Sequence, residues 1–438
     1  MKSRNLIAAA AAFAIGTAAS AAKRGTLTGH WTGTMVSHGQ PLAVAFDFDQ
    51  SGRAPRGRFT APTQAAMDYP LDRVARDADH IGFTLGGSIL FDGTLSGDGL
   101  AGSFRSDAAS GSFTLHRDAA TSLPYATRDI AFRDGAVTLR GTLCLPRSRG
   151  RHPAVVLVHG SGPQTRWGTM RYIADRFARS GVAVLIYDKR GSGDSGGDWR
   201  SATYEDLARD ALAAVAILAA RPDVDPHRIG LVGHSQGGAI APLVATLAPG
   251  RIAFLVAEDS FAGPQWQQDL YRVRNEVKSL ALSQADEKIA MDVYSAFVDA
   301  ARGARSYDAF EKEAAPYRDT AWYKWMAIPP RDSWVWGLAA KNENFDPLPL
   351  WHKVRAPVLL VYGEKDMLQP RDETIASIGG ALDASGTPYS ALIVPDAQHN
   401  LTIQPEPDGP FFWWHQAPGL VDIVIAWVLH EARDRPRG

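Results

Sequence analysis

The amino-acid sequence predicts an α/β, doubly wound domain preceded by a small antiparallel β-sandwich or barrel domain. Three observations carry this expectation. Residues 23–117 alternate apolar and polar side chains with a period of two, between glycine-rich turns. From residue 125 onward, short β-branched runs without alternation are separated by amphipathic helical stretches, the pattern of strands buried on both faces of a parallel sheet. One of those runs passes into a glycine-flanked serine and then straight into a helix-forming stretch. A chain of 438 residues has room for both domains. Its 45% hydrophobic and 21% charged residues exclude a disordered protein. The formal net charge is -1 and the charges are interspersed, so there is no basic stripe for a phosphate backbone and no nucleic acid partner is expected.

At the N-terminus, Lys2 and Arg4 precede an uncharged apolar run over 6–15, and Ala19-Ser20-Ala21 supplies small residues for cleavage. This predicts a signal peptide over residues 1–22 and a bacterial protein that is periplasmic or secreted. The run is shorter than the roughly 20 apolar residues of a membrane span, so no stable membrane insertion is expected. Residues 23–117 read as a β-rich accessory domain. Leu42, Val44, Phe46 and Phe48 fall on one face, and 80–85, 89–95 and 111–115 follow the same rule, with turns at 49–52 and 96–99. Gly29-His30-Trp31-Thr32-Gly33 resembles the start of lipocalin-like barrels; a packed domain is expected here rather than a ligand pocket.

After a linker near 118–124, the second domain is expected over 125–438. Residues 130–132 and 137–145 predict a hairpin turning at Asp134-Gly135. Buried strands follow at 154–158, 182–186, 229–232, 252–256, 358–361 and 391–394, with helical stretches such as 204–220 and 420–429 between or after them. Cys144 is the only cysteine, which excludes an intramolecular disulfide and predicts a buried small apolar residue. An insertion at about 265–345 has helical patterning and carries Trp266, Tyr271, Tyr294, Phe297, Trp322, Tyr323, Trp325, Trp334 and Trp336. It is expected to cap the carboxyl ends of the sheet. Most of these rings should form its own core, and a minority should line an apolar acyl or aromatic site.

The chemistry centres on Gly233-His234-Ser235-Gln236-Gly237. A nucleophile on a strained strand-to-helix turn leaves no room for side chains two residues to either side, which is why glycines stand there. Ser235 is the expected nucleophile, His399 the base and Asp366 the orienting acid, each on a loop after an apolar strand. Glu364, Asp396, Glu258 and Asp259 are competing acids, and His415 and His234 competing histidines with packing roles expected. The oxyanion hole is expected from the backbone N–H groups of Gln236 and Ser161, with Gly162 the alternative to Ser161. The loop 188–196 is glycine-rich but lacks the P-loop pattern, and is read as a structural turn. No H-E-x-x-H or similar ligand spacing occurs, so no metal and no cofactor is expected.

On these residues, together with His159-Gly160, Asp188-Lys189-Arg190-Gly191-Ser192-Gly193 and Gly363-Glu364-Lys365-Asp366, the chain from about 125 to its end resembles the α/β-hydrolase superfamily. Within it, the resemblance is to serine-esterase and serine-aminopeptidase-like members. The resemblance implies an α/β-hydrolase fold with an eight-stranded sheet, a catalytic triad and a helical cap insertion. Relatives that use an aspartate nucleophile do not fit, because Ser235 stands at that position. The expected activity is cleavage of a small-molecule ester or acyl substrate through an acyl-enzyme. Alternatives are a thioesterase, or a peptidase or amidase with cap acids such as Glu276 or Asp286 facing an amine. In another class, a non-catalytic protein would bind through its β-rich domain. Oligomeric state has no sequence signature here.

Overall fold

Period-two alternation curls the N-terminal domain into a closed barrel. The computed structural model describes residues 25–405 and 413–433, so the expected signal peptide lies outside the described residues. Strands Gly29–Ser37 (β1), Gln40–Asp49 (β2), Arg56–Ala61 (β3), Ala66–Asp77 (β4), His80–Leu85 (β5), Ile89–Ser96 (β6), Gly99–Arg105 (β7) and Ser110–Asp118 (β8) pair antiparallel in sequence order. β8 then pairs with β1, which leaves no unpaired edge. Leu42, Val44, Phe46 and Phe48 point inward, with Trp31, Phe83, Phe91 and Phe113. Ring centroids such as Phe83–Phe91 at 4.5 Å and Phe83–Phe113 at 5.8 Å fill the interior with aromatic side chains. Gly33 lets β1 approach β8, because a Cβ there would stand 2.0 Å from the Thr114 carbonyl oxygen. β3, β4 and β7 had no clear sequence signal. β4 buries only Leu71 and Val74, contains Pro70, and shifts register between Leu71 and Arg73.

The second sheet begins with the hairpin Tyr125–Asp134 (β9) and Val137–Pro146 (β10), turning through Gly135 at φ 52°. His152–Val158 (β11), Ala183–Tyr187 (β12), Val224–His234 (β13), Leu255–Glu258 (β14), Val358–Gly363 (β15) and Tyr389–Val394 (β16) complete it. The order is β16-β15-β14-β13-β11-β12-β10-β9, parallel from β12 to β16. Helices Thr169–Arg179 (α1), Tyr204–Ala219 (α2) and Gln236–Leu247 (α3) connect the central strands. Val156, Leu185, Leu231 and Leu360 face a core under α2 and α3. Their neighbours Val155, Val184, Val232 and Val361 face the opposite core with Ala174 and Phe177 of α1. Burial on both faces removes the alternation from these runs. Cys144 lies fully buried in the second core, where burial pushes its thiol up to about 11. Two expectations need correction. β16 is the edge strand and leaves Tyr389 and Ile393 exposed, and β14 starts at Leu255 rather than at 252.

Between β14 and β15 the cap rises as Gln265–Ser279 (α4), Gln284–Ala301 (α5), Tyr307–Ala314 (α6), Ala321–Met326 (α7) and Trp334–Asn342 (α8). Tyr294, Phe310 and Trp322 are buried in its own core, while Trp325 and Trp334 are exposed. Leu348–Trp351 (α9) leads back to β15; Arg371–Ala384 (α10) precedes β16, and Leu420–Arg433 (α11) covers the same face as α1. Among the described residues, no helix is long and apolar enough to cross a membrane.

The barrel docks on loops and a helix of the second domain. Met67 and Gly168 exchange N–H···O bonds of 3.3 and 2.9 Å, Arg171 reaches Asp68 at 3.0 Å, and the Arg58 guanidinium lies 4.1 Å over Trp167. The Trp413 indole donates to the Gln40 carbonyl at 3.1 Å.

Candidate active site

β13 ends in a turn that only small residues can make. Ser235 sits at φ 53° and ψ −116°, a costly conformation for a residue with a Cβ, and its N–H bonds the Glu258 carbonyl at 2.7 Å. A Cβ on Gly233 would stand 2.3 Å from the Gly237 oxygen, and one on Gly237 would stand 2.3 Å from the Val158 oxygen. α3 begins at the next residue, so the Gln236 N–H has no carbonyl partner within its helix.

The sheet brings the three predicted side chains together in one line. His399 Nε2 is 3.0 Å from Ser235 Oγ, and His399 Nδ1 is 2.9 Å from Asp366 Oδ2. The other Asp366 oxygen accepts from the N–H groups of Leu368 at 2.7 Å and Gln369 at 3.3 Å, which locks the carboxylate in place. The imidazole can therefore take a proton from the serine while its far side faces a buried carboxylate.

The competing residues are occupied elsewhere. Glu364 accepts from the Asp396 N–H at 2.9 Å, and Asp396 pairs with Lys365 at 2.9 Å. His415 belongs to a two-residue ribbon with Thr402–Ile403. His234 lies against Asn400 at 3.3 Å, its imidazole pushed down to about 4 by burial and by the neighbouring His399. Burial pushes the Glu258 carboxyl up to about 7.

Asp259 comes closer than the other competing acids. It is fully buried, accepts from the Gly363 N–H at 2.9 Å, and is held well above the carboxylate range by burial first and the adjacent Asp366 second. Asp259, Asp366 and His399 each bring a ligand-type atom within 4.8 Å of the others. The Asp366 oxygen and His399 nitrogen bonded to one another are the same groups an ion would have to recruit.

The loop carrying Ser161 packs against the serine, for a Cβ on Gly160 would stand 3.5 Å from the Ser235 Cβ. Beneath it lies Lys189, which is buried. Its ammonium donates to the Gly160 carbonyl at 2.8 Å and to Gln236 Oε1 at 2.7 Å, and burial pushes it down to about 7. The neighbouring residues hold the turn as expected. Asp188 receives the N–H groups of Arg166 at 2.8 Å and Asp194 at 2.9 Å, and Arg190 grips Asp210 at 2.7 and 2.9 Å. In the sequence Lys189 stands out only as part of that turn. The signal is a lysine two residues beyond a strand that is buried throughout.

The cap contains a cavity of about 270 Å3 lined by Tyr294, Phe297, Met326 and Ile328 with Asp269 and Glu343. Burial and Asp269 push Glu343 up to about 9. The acids named from sequence lie elsewhere: Glu276 is bound by Arg272 at 2.8 Å, and the Asp286 carboxylate accepts at 2.7 Å from the hydroxyl of Ser283, the residue that caps α5. Cap and core are joined where the Tyr204 hydroxyl donates to Gln265 at 2.6 Å and Gln268 donates to the Leu368 carbonyl at 3.0 Å.

Residues 155–409 match the model of the Alpha/beta hydrolase family. The chain is 26% identical over 306 residues to Esterase EstD of Thermotoga maritima, a match covering 66% of this chain and 65% of the esterase. It is 31% identical over 141 residues to the Quorum-quenching protein AidA of Acinetobacter baumannii, covering 32% of this chain and 45% of that protein. A crystal structure of a hypothetical protein from Pseudomonas aeruginosa aligns at 20% identity and a TM-score of 0.45, over 71% of this chain and 95% of the other.

Proposed function

Because the chain belongs to the Alpha/beta hydrolase family and is a hydrolase, we propose that it cleaves carboxylic esters through an acyl-enzyme on Ser235. One observation carries this reading: the unbroken line from Asp366 through His399 to Ser235 Oγ, at 2.9 and 3.0 Å. In the first step His399 Nε2 takes the hydroxyl proton as Oγ attacks the acyl carbon. The tetrahedral oxyanion is received by the N–H groups of Gln236 and Ser161. His399 then protonates the leaving alcohol, and the acyl group stays on Ser235. Water, deprotonated by the same imidazole, attacks the acyl-enzyme and releases the acid. Asp366 keeps the Nδ1 proton in place and stabilises the imidazolium.

The choice of ester over amide is supported by the esterase named among the relatives and by the aromatic cap. A thioester is the second reading, because a 104-residue segment is 36% identical to Thiohydrolase aneE of Aspergillus aculeatus. Ser235→Ala should abolish turnover of p-nitrophenyl butyrate and labelling by a fluorophosphonate probe. Wild-type rates in that variant would refute the mechanism. Turnover of the matching thioester and anilide at equal acyl length ranks the three bond types. The N-terminal signature further supports export, which N-terminal sequencing of the protein recovered from a bacterial periplasm would test.

A further inference from the structure

We infer that Lys189 is a positioning residue for the oxyanion site: its buried amino group ties the peptide unit that carries the Ser161 N–H to the side chain of Gln236, whose N–H is the other donor. This inference rests on the acyl-enzyme reading of Ser235. The geometry is specific. Lys189 Nζ donates to the Gly160 carbonyl at 2.8 Å and to Gln236 Oε1 at 2.7 Å. The Gly160 carbonyl and the Ser161 N–H belong to one planar peptide unit, so holding the oxygen also aims the N–H. A hydrogen bond donated to the oxygen end polarises that unit and makes its N–H a stronger donor. The second acceptor is the side chain of Gln236, the residue that supplies the other N–H. One ammonium thus sets the distance between the oxyanion loop and the start of α3.

A purely structural role would predict a different partner. Burying an ammonium is costly unless it is paired, and the usual pairing group is a carboxylate. Neither Lys189 acceptor is one. The nearby Asp210 carboxylate is gripped at both oxygens by Arg190, at 2.7 and 2.9 Å. The loop has its own second brace, as Gln164 donates to the Ser161 carbonyl at 3.1 Å and accepts from the Lys189 N–H at 3.0 Å through its own carbonyl. The lysine side chain is therefore spent on alignment of two neutral groups that flank Ser235.

The test uses the full-length protein and three variants, with p-nitrophenyl butyrate as substrate. An alkyl trifluoromethyl ketone serves as the transition-state mimic, and butyrate as the ground-state ligand. Lys189→Met should lower kcat about 10- to 100-fold, less than or equal to the loss of a whole oxyanion donor. KM and butyrate affinity should change by no more than about twofold, while ketone affinity falls in step with kcat/KM. Gln236→Leu keeps the backbone N–H and cuts one tether, so kcat should fall about 3- to 10-fold with the same split. A folded Lys189→Met enzyme with unchanged kcat and ketone affinity overturns the inference. Equal losses in substrate, butyrate and ketone binding also overturn it. If Lys189→Met does not fold, Gln236→Leu decides alone, and an unchanged kcat there is fatal to the idea. The third variant, Ser235→Ala, separates the two levels: retained turnover in it refutes the acyl-enzyme reading, an outcome that no Lys189 result can mimic.

Discussion

Two aspartates lie side by side behind the histidine, and only Asp366 is placed to carry charge. Asp366 accepts two backbone N–H groups and faces His399, whereas Asp259 is fully buried and its carboxyl is held well above the usual carboxylate range by burial first and by Asp366 second. The linkage follows from that shift. The unfolded chain releases the proton above the ordinary value of 3.8, while the folded protein retains it, so Asp259 subtracts stability as pH rises from about 4 toward its folded value. Asparagine is neutral at every pH and can still accept from Gly363 while donating toward Asp366. Asp259→Asn should raise the melting temperature, and the gain should grow as pH rises above about 4 toward the folded value of Asp259. Thermal melts at several pH values check this, and a gain that stayed flat with pH would contradict a protonated Asp259. From sequence alone both aspartates follow apolar strands. The loop position singles out Asp366, but the burial of Asp259 beside it and the backbone donors on Asp366 have no local sequence signal.

At the level of elements, the strand–turn–helix around Ser235 is legible because steric demands are local. Gly237 packs against β11, where a Cβ would stand 2.3 Å from the Val158 oxygen and 2.8 Å from the His159 oxygen. Neither backbone atom can move without disturbing the loop carrying Ser161 that follows. Gly237→Ala should cost about 1–3 kcal/mol of stability. Ester turnover should fall further than the folded fraction does, measured by urea denaturation beside kcat at low temperature. β2 is equally legible, since Leu42, Val44, Phe46 and Phe48 all enter the barrel. β4 is not: with Pro70, outward charges and two buried apolar residues in twelve, its strand state is imposed by pairing with β3 and β5. Local propensity is overridden there by the closure of the sheet.

On the scale of the whole molecule, the barrel contacts segments that follow two of the loops that build the site. Its contacts fall on Trp167 and Gly168, shortly after Ser161, and on Trp413 and Trp414, shortly after His399 in the fold. Asp68 anchors the first contact. Its partner Arg171 is buried and also donates to the Tyr125 hydroxyl at 2.9 Å. Asp68→Ala leaves that guanidinium without its carboxylate and should cost about 3 kcal/mol, the lower end for breaking a buried pair because Asp68 is partly solvated. Chemical denaturation checks the magnitude; a loss below about 0.5 kcal/mol, the range of an ordinary surface substitution, would show that the barrel docks independently of this pair.

Sequence by itself determined the apolar runs, the strained serine turn and the order Ser235, Asp366, His399, because periodicity and glycine placement act over a few residues. Tertiary structure decided that Asp259 lies buried beside Asp366, that the barrel interior is filled by rings, and that Lys189 lies under the loop carrying Ser161. Those outcomes depend on strand order and on depth below the surface. Residues 164 positions apart meet at 3.0 Å only after the sheet has assembled, and a buried ammonium or carboxyl acquires its role from the few polar atoms left within reach.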